Sequence, residues 1–295
     1  MSWPEGDVSV DRELVQALLS EQHPDLAGLP LVHLDAGWDN VLWRLGADLV
    51  VRLPRRSLAV PLIESEQRWL PGLAPRLPLP VPAPVRVGRP SAAYPWPWSV
   101  VPWLEGEPGD RAPLTDPADA ARRLAAFLDA LHQDAPAGAP HNPWRAVPLA
   151  ARTDAFVARV EELAGQVDAA RLRDIWDAAL SVPAYPGPPR WVHGDLHPAN
   201  FLVSGGTIAA VIDFGDLSAG DPATDLAGAW MLLPDGARDE FWSGYPRRDD
   251  GLVARSVGWA LLFGLMHLAI GLGGRPTYER AARLTLDRVL RAGLG

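Results

Sequence analysis

The chain has 295 residues, 48% of them hydrophobic and 21% charged, which is enough apolar matter for one large core or two modest ones and too much for a disordered chain. Its net charge of −9 disfavours nucleic acid as a partner and would suit a cationic small substrate. Cysteine is absent, so disulfides, thiolate metal sites and a cysteine nucleophile are excluded, and all 27 basic residues are arginine.

In chain order, MSWPEGDVSVDREL has neither the basic nor the apolar segment of a secretion signal, so a cytoplasmic location is expected. Leu14, Leu18 and Leu19 mark an amphipathic helix, with Ser9 as its cap candidate. LVHLDAGWDNVLWRLGADLVVRLP alternates apolar and polar residues and breaks at Gly37 and at Gly46-Ala47-Asp48, predicting three short antiparallel strands. SLAVPLIESEQRWLPGL reads as a helix with Pro61 near its first turn, and LPLPVPAPV must run extended. A strand follows from about Trp98 to Trp103 and ends in a Gly/Pro linker near 101–106.

Beyond the linker the texture is helical. Pro117 opens a helix after Thr115 or Asp116, and further helical stretches are expected at 149–165, at 168–180 and from 213 onward. The apolar run Val257–Gly273 is nearly long enough to span a bilayer, yet it carries His267 and four glycines. A buried helix is the better reading, and no membrane is expected. The chain thus divides into a small strand-rich lobe, residues 1–103, and a larger helical lobe, residues 104–295, with the crevice between them as the place for ligands.

Residues 193–216, HGDLHPANFLVSGGTIAAVIDFGD, interrupt the helices with a cluster of polar groups that a packed core would avoid. Pro198 makes HGDLHPAN a loop. Phe201-Leu202-Val203 and Ile208 to Ile212 are strand-like, and Gly205-Gly206 suits a tight hairpin turn. A hairpin returns Asp213 to the neighbourhood of Asn200, and a carboxylate beside an amide oxygen suits Mg²⁺. Asp195 can then serve as the base, or the orienting carboxylate, for an attacking hydroxyl.

HGDLHPAN followed by Asp213-Phe214-Gly215 resembles the protein-kinase catalytic loop and metal loop, with Gly194 replacing the usual Arg and His197 standing where many protein kinases carry Lys. The HGD form resembles the aminoglycoside phosphotransferase and choline kinase-like family. That resemblance implies an α+β, bilobal, protein-kinase-like fold, with a small antiparallel sheet in the N-terminal lobe and a mostly helical C-terminal lobe. It also implies Arg52 on the third strand as the phosphate-binding cation and a Glu on the next helix as its partner. Glu66 shares a face with Trp69, Leu70 and Leu73 and is preferred to Glu64. Trp38, Asp39 and Asn40 would form the phosphate loop, and Val101 and Trp103 the strand along the purine. His197 joins the nucleotide-binding set, His193 is expected as a scaffold residue, and Asp225 as a brace for the catalytic loop or a helix N-cap.

The implied reaction is Mg²⁺-dependent transfer of the γ-phosphate of ATP or GTP to a small hydroxylated molecule, with an aminoglycoside-like antibiotic as the expected acceptor. Asp216, Asp235 and Asp239 are candidate acids for such a substrate, with Asp221 and Glu240 as further ones. A macrolide or metabolite kinase remains an alternative, because the 13 Trp could line a less polar pocket. A catalytically weak nucleotide-binding protein is a second, suggested by Arg52 and the lone glycine of the phosphate loop. A protein kinase is disfavoured, because no Ala-Pro-Glu follows Asp213. Monomer and dimer both stay open.

Overall fold

The computed structural model describes residues 6–292; the first residues of MSWPEGDVSVDREL lie outside the described residues. Helix α1 (Arg12–Gln22) is capped by Asp11, whose carboxylate accepts the Leu14 N–H, so the cap lies two residues beyond the Ser9 expected from sequence. Its buried Val15, Leu18 and Leu19 pack beneath an antiparallel sheet.

That sheet begins with β1 (Leu31–Ala36), β2 (Asn40–Leu45) and β3 (Leu49–Pro54). In β2 the alternation places Val41, Trp43 and Leu45 inside, as period-two patterning dictates. Helix α2 (Val60–Leu73) follows. The Pro-rich segment after it makes no regular structure until β4 (Arg86–Gly88), and β5 (Trp98–Pro102) completes the sheet. The strand order is β1-β2-β3-β5-β4, antiparallel throughout. β3 is therefore central and buried on both faces, which fixes the position of Arg52.

The chain then passes through β6 (Glu107–Pro108) into α3 (Pro117–Leu131), capped by Asp116 through the Asp119 N–H. Helices α4 (Thr153–Glu162) and α5 (Ala169–Leu180) lead to the short strand β7 (Arg190–Val192). The hairpin β8 (Phe201–Ser204) and β9 (Thr207–Val211) pairs with β6, and β10 (Ser218–Gly220) pairs with β7. Helices α6 (Ala223–Leu232), α7 (Asp235–Gly244), α8 (Asp250–Leu272) and α9 (Pro276–Ala292) close the fold.

α8 meets the length and hydropathy of a membrane span, yet it is buried among α4, α5, α6 and α9. Its apolar surface is satisfied inside the protein. The architecture is the α+β arrangement expected: an N-terminal antiparallel sheet and a larger helical part. Packing does not divide at residue 103, however. Leu70 and Leu73 of α2, with Leu79 and Val81 of the Pro-rich segment, join the large C-terminal core, so α2 is wedged between the sheet and the helices.

Candidate active site

The β8–β9 hairpin turns through Gly205 and Gly206, both at positive φ (60° and 80°), which glycine adopts without steric penalty. Pairing of Phe201 with Val211 continues past the strand ends, where the Ile212 N–H donates to the Asn200 carbonyl at 2.9 Å. Asn200 thus sits across from the residue preceding Asp213. Asp213 itself is left-handed (φ 65°), and its carboxylate is 57% exposed towards the cleft.

The loop before the hairpin hangs on Asp225. One carboxylate oxygen accepts the His193 N–H at 2.7 Å, the other accepts the Gly194 N–H at 2.8 Å, and His132 Nε2 lies 3.1 Å away. Asp225 lies within the first turn of α6 rather than at its cap. His193 is fully buried: its Nδ1 accepts the Asp195 N–H, so Nε2 is left to donate to the Ile212 carbonyl at 2.9 Å. Gly194 has φ 89°, and a Cβ there would come within 2.5 Å of the Asp216 carbonyl oxygen. That close approach is why no arginine can follow His193 in this backbone.

Asp195 projects from this frame with its side chain 27% exposed. Asn200 Nδ2 donates to the Asp195 carbonyl at 2.9 Å and lies 3.5 Å from Oδ2. His197 Nε2 lies 3.5 Å from Oδ2, and Arg145 reaches Oδ1 at 3.5 Å. Burial opposes the charge, but His197 and Arg145 outweigh it and hold the Asp195 carboxyl well below the usual carboxylate range. Arg145 also approaches Asp216 Oδ2 at 3.6 Å, and Asn142 Nδ2 donates to Asp216 Oδ1 at 2.6 Å. Burial nonetheless lifts Asp216 to about 6, with the nearby Asp195 charge reinforcing the shift.

Across the cleft, Arg52 donates to Glu66 Oε2 at 2.8 Å and lies 3.7 Å from Asp213 Oδ1. Glu66 is 1% exposed, whereas Glu64 faces solvent. Burial raises the Glu66 carboxyl to about 7 against the pull of Arg52. Trp38, Asp39 and Asn40 form the β1–β2 turn, closed by the Gly37 N–H on the Asn40 carbonyl at 2.8 Å, and Arg56 pairs with Asp39. These residues, with Arg52, Val101, Trp103, Leu104 and Asp213, line a cleft of about 300 Å³. The Trp103 N–H is spent on the Asp48 carbonyl at 2.7 Å and Pro102 has none, whereas the Leu104 N–H, just past the strand, has no acceptor among the described residues.

Residues 31–259 match the phosphotransferase enzyme family. The chain belongs to the phosphotransferase enzyme family. No curated protein matches it. Solved structures of similar fold include the GDP complex of wild-type aminoglycoside 2'-phosphotransferase-IIIa, 20% identical, covering 96% of this chain and 100% of that one, at a TM-score of 0.70. The macrolide 2'-phosphotransferase MphH from Brachybacterium faecium, an apoenzyme, is 26% identical over 92% of this chain and 97% of its own, at 0.61. The ADP-bound aminoglycoside phosphotransferase APH(2'')-Ib is 17% identical over 96% and 99%, at 0.61.

In this phosphotransferase the residues singled out from sequence fall into three places. Arg52, Trp38, Asp39, Asn40, Val101, Trp103 and Asp213 face the cleft, with Glu66 behind Arg52. Asp195, Asn200 and Asp216 gather at its helical side. His197 differs from expectation: it does not line the cleft but packs among His267 and Tyr278, with ring centroids 4.7 and 5.7 Å away, beside Asp195.

The other acids are elsewhere. Asp235 pairs with Arg238 and Arg291, at the end of α9 roughly 20 Å from Tyr278. Asp239 lies exposed on the same helix α7, Glu240 pairs with Arg122 of α3, and Asp221 is buried against Arg255 at 2.8 Å. None of these four gathers with Asp195, so they do not form the acidic pocket expected of them. Among the described residues, seven tryptophans are in the core, Trp38 and Trp103 line the cleft, and Trp144 stands against Arg152. Arg145, Asn142, His267 and Tyr278 were not singled out as site residues. His267 carried a signal, as a lone histidine in an apolar run; Arg145 carried none.

Proposed function

We propose that the protein transfers the γ-phosphate of ATP or GTP to a hydroxyl group of a small molecule in a Mg²⁺-dependent reaction. Residues 1–103 supply most of the nucleotide site, and residues 104–295 supply catalysis, the acceptor site and the metal-binding side of the cleft. The observation that carries this reading is the convergence of Asp195, Asn200 and Asp213 from one loop and hairpin, opposite the buried Arg52–Glu66 pair.

Asn200 and Asp213 fit a magnesium ion. The Asn200 amide is oriented by its Nδ2 bond to the Asp195 carbonyl, and no donor among the described residues claims its Oδ1. With the exposed Asp213 carboxylate this gives two hard oxygens, leaving positions for phosphate and water. Bound there, the ion would neutralise phosphate charge. Arg52, oriented by Glu66, adds a permanent positive charge beside the phosphates. The donor for the purine edge would come from Leu104.

Asp195 orients the acceptor hydroxyl in line with the γ-phosphorus. Because its carboxyl sits well below the usual range, Asp195 takes the hydroxyl proton late, once the new O–P bond is forming and the bond to the departing nucleoside diphosphate is breaking. Most of the rate then comes from alignment and electrostatics. Among acceptors, the scattering of Asp235, Asp239 and Glu240 weighs against an aminoglycoside-like polycation and favours a macrolide or a metabolite alcohol. Nucleotide turnover measured across aminoglycosides, macrolides and metabolite alcohols, with both ATP and GTP, tests this. Tight nucleotide binding without phosphate transfer to any of them would leave a binding protein instead.

A further inference from the structure

The acceptor side is flanked by a pinned loop. Asn142 Oδ1 accepts the Trp144 N–H at 2.8 Å while its Nδ2 holds Asp216. Ala146 is left-handed (φ 57°), a conformation that strains a non-glycine residue. It is held there from both sides: its N–H donates to Thr224 Oγ1 at 3.1 Å and its carbonyl accepts the Asp221 N–H at 2.8 Å. This fixed backbone delivers Arg145 to Asp195 and Asp216, and it leaves Trp144 60% exposed at the rim.

Arg152, just before α4, stands behind that rim with its guanidinium carbon 5.1 Å from the Trp144 ring. It is 8% exposed, forms no salt bridge or hydrogen bond with the described residues, and its Nε is buried without a partner. Arg145, by contrast, is balanced by Asp195 and Asp216, at 3.5 and 3.6 Å. Burial and the neighbouring Arg145 charge both push the Arg152 guanidinium down, and no carboxylate among the described residues pairs with it. Other buried arginines here have partners: Arg52 has Glu66, and Arg255 has Asp221. A buried guanidinium without an acceptor is costly unless a ligand supplies one.

We infer that the acceptor molecule carries an anionic group, a carboxylate or a phosphate, which Arg152 binds against the Trp144 face beside Arg145, while its hydroxyl lies at Asp195. The inference rests on the kinase reading for the hydroxyl and not for the anion site. Arg offers a planar fork that matches either anion, and Trp144 offers a flat apolar surface to the rest of the molecule.

Two measurements test it. Inorganic phosphate is titrated into protein saturated with nucleoside diphosphate and Mg²⁺, so that the nucleotide cleft is filled. The unfolding temperature is expected to rise for the wild type and not for Arg152→Gln. In parallel, turnover is compared between hydroxy acids and their methyl esters, and between sugar phosphates and the parent sugars, which separates the two anions.

Arg152→Gln should raise KM for the anionic acceptor by about tenfold or more with kcat little changed, and Arg152→Lys should fall between. Trp144→Ala, a surface change, should also raise KM. Equal use of esters and acids, and of sugars and their phosphates, would overturn the inference while leaving the kinase standing, as would phosphate protection that survives in Arg152→Gln. Phosphate protection that depends on Arg152, with no turnover of any acceptor, would uphold the anion site and remove the kinase reading.

Discussion

Asp195 and Asp216 are two carboxylates beside one guanidinium, and their surroundings drive them apart. Asp195 stays ionised far into acid, whereas Asp216 titrates near 6. A carboxyl raised in the folded state contributes its stability in full below its unfolded value near 4 and loses it as pH climbs through about 6. Asp216→Asn removes that loss. The unfolding temperature of the variant relative to wild type should therefore rise between pH 4 and 6 and level off above; a flat difference would contradict the assignment. Gly194→Ala should cut activity sharply, because its Cβ would strike the Asp216 carbonyl and displace the backbone that carries Asp195. At this scale the sequence was legible where spacing encodes geometry. Asp195, Asn200 and Asp213 are joined by one hairpin whose register follows from the glycine turn. Arg145 was not legible, because it reaches Asp195 through tertiary packing of a loop with no periodicity and no motif.

The β3–α2 junction and the β8–β9 hairpin are the elements that assemble the cleft. β3 is central in the sheet, so Arg52 is rigidly placed, and α2 turns Glu66 inward by the same helical periodicity that buries Ile63, Leu70 and Leu73. Removing one partner strands a buried charge: Arg52→Met alone should destabilise by about 3–5 kcal/mol. The double variant Arg52→Met/Glu66→Leu should recover most of that stability, but not nucleotide affinity, in parallel denaturant and binding titrations. In the hairpin, Gly206→Ala should be the worse of the two glycine changes, since its Cβ would meet Thr115 Oγ1 at 1.9 Å while that of Gly205 meets nothing. Strand and helix identities were readable from alternation and from Pro and Gly punctuation. Their ends were less so: Asp11 rather than Ser9 caps α1, because the carboxylate reaches the Leu14 N–H. The short pairs β6–β8 and β7–β10 depend on partners distant in sequence, which local patterning does not encode.

Across the whole molecule, net charge and the charge around Asp195 are different quantities. The −9 total suggested an attraction for cations, yet Asp235 and Glu240 of α7 are paired with arginines, and Arg145 and Arg152 stand beside the Asp195 loop. Formal charge counts every residue equally, whereas a ligand responds to the few within a Debye length and shielded from water. The wedge of α2 between the sheet and the large core also couples the nucleotide cleft to global stability. Nucleotide with Mg²⁺ should raise the unfolding temperature, with about 2.7 kcal/mol gained at a hundredfold excess over Kd, and EDTA should remove most of that gain along with turnover.

In the proposed reaction Asp195 directs a hydroxyl onto a nucleotide held by Arg52, Asn200 and Asp213. Its most direct test is phosphate transfer to the best acceptor by Asp195→Asn, measured beside nucleotide affinity. The predicted result is a fall in kcat of about a hundredfold or more with nucleotide Kd nearly unchanged. Transfer at the wild-type rate would contradict it.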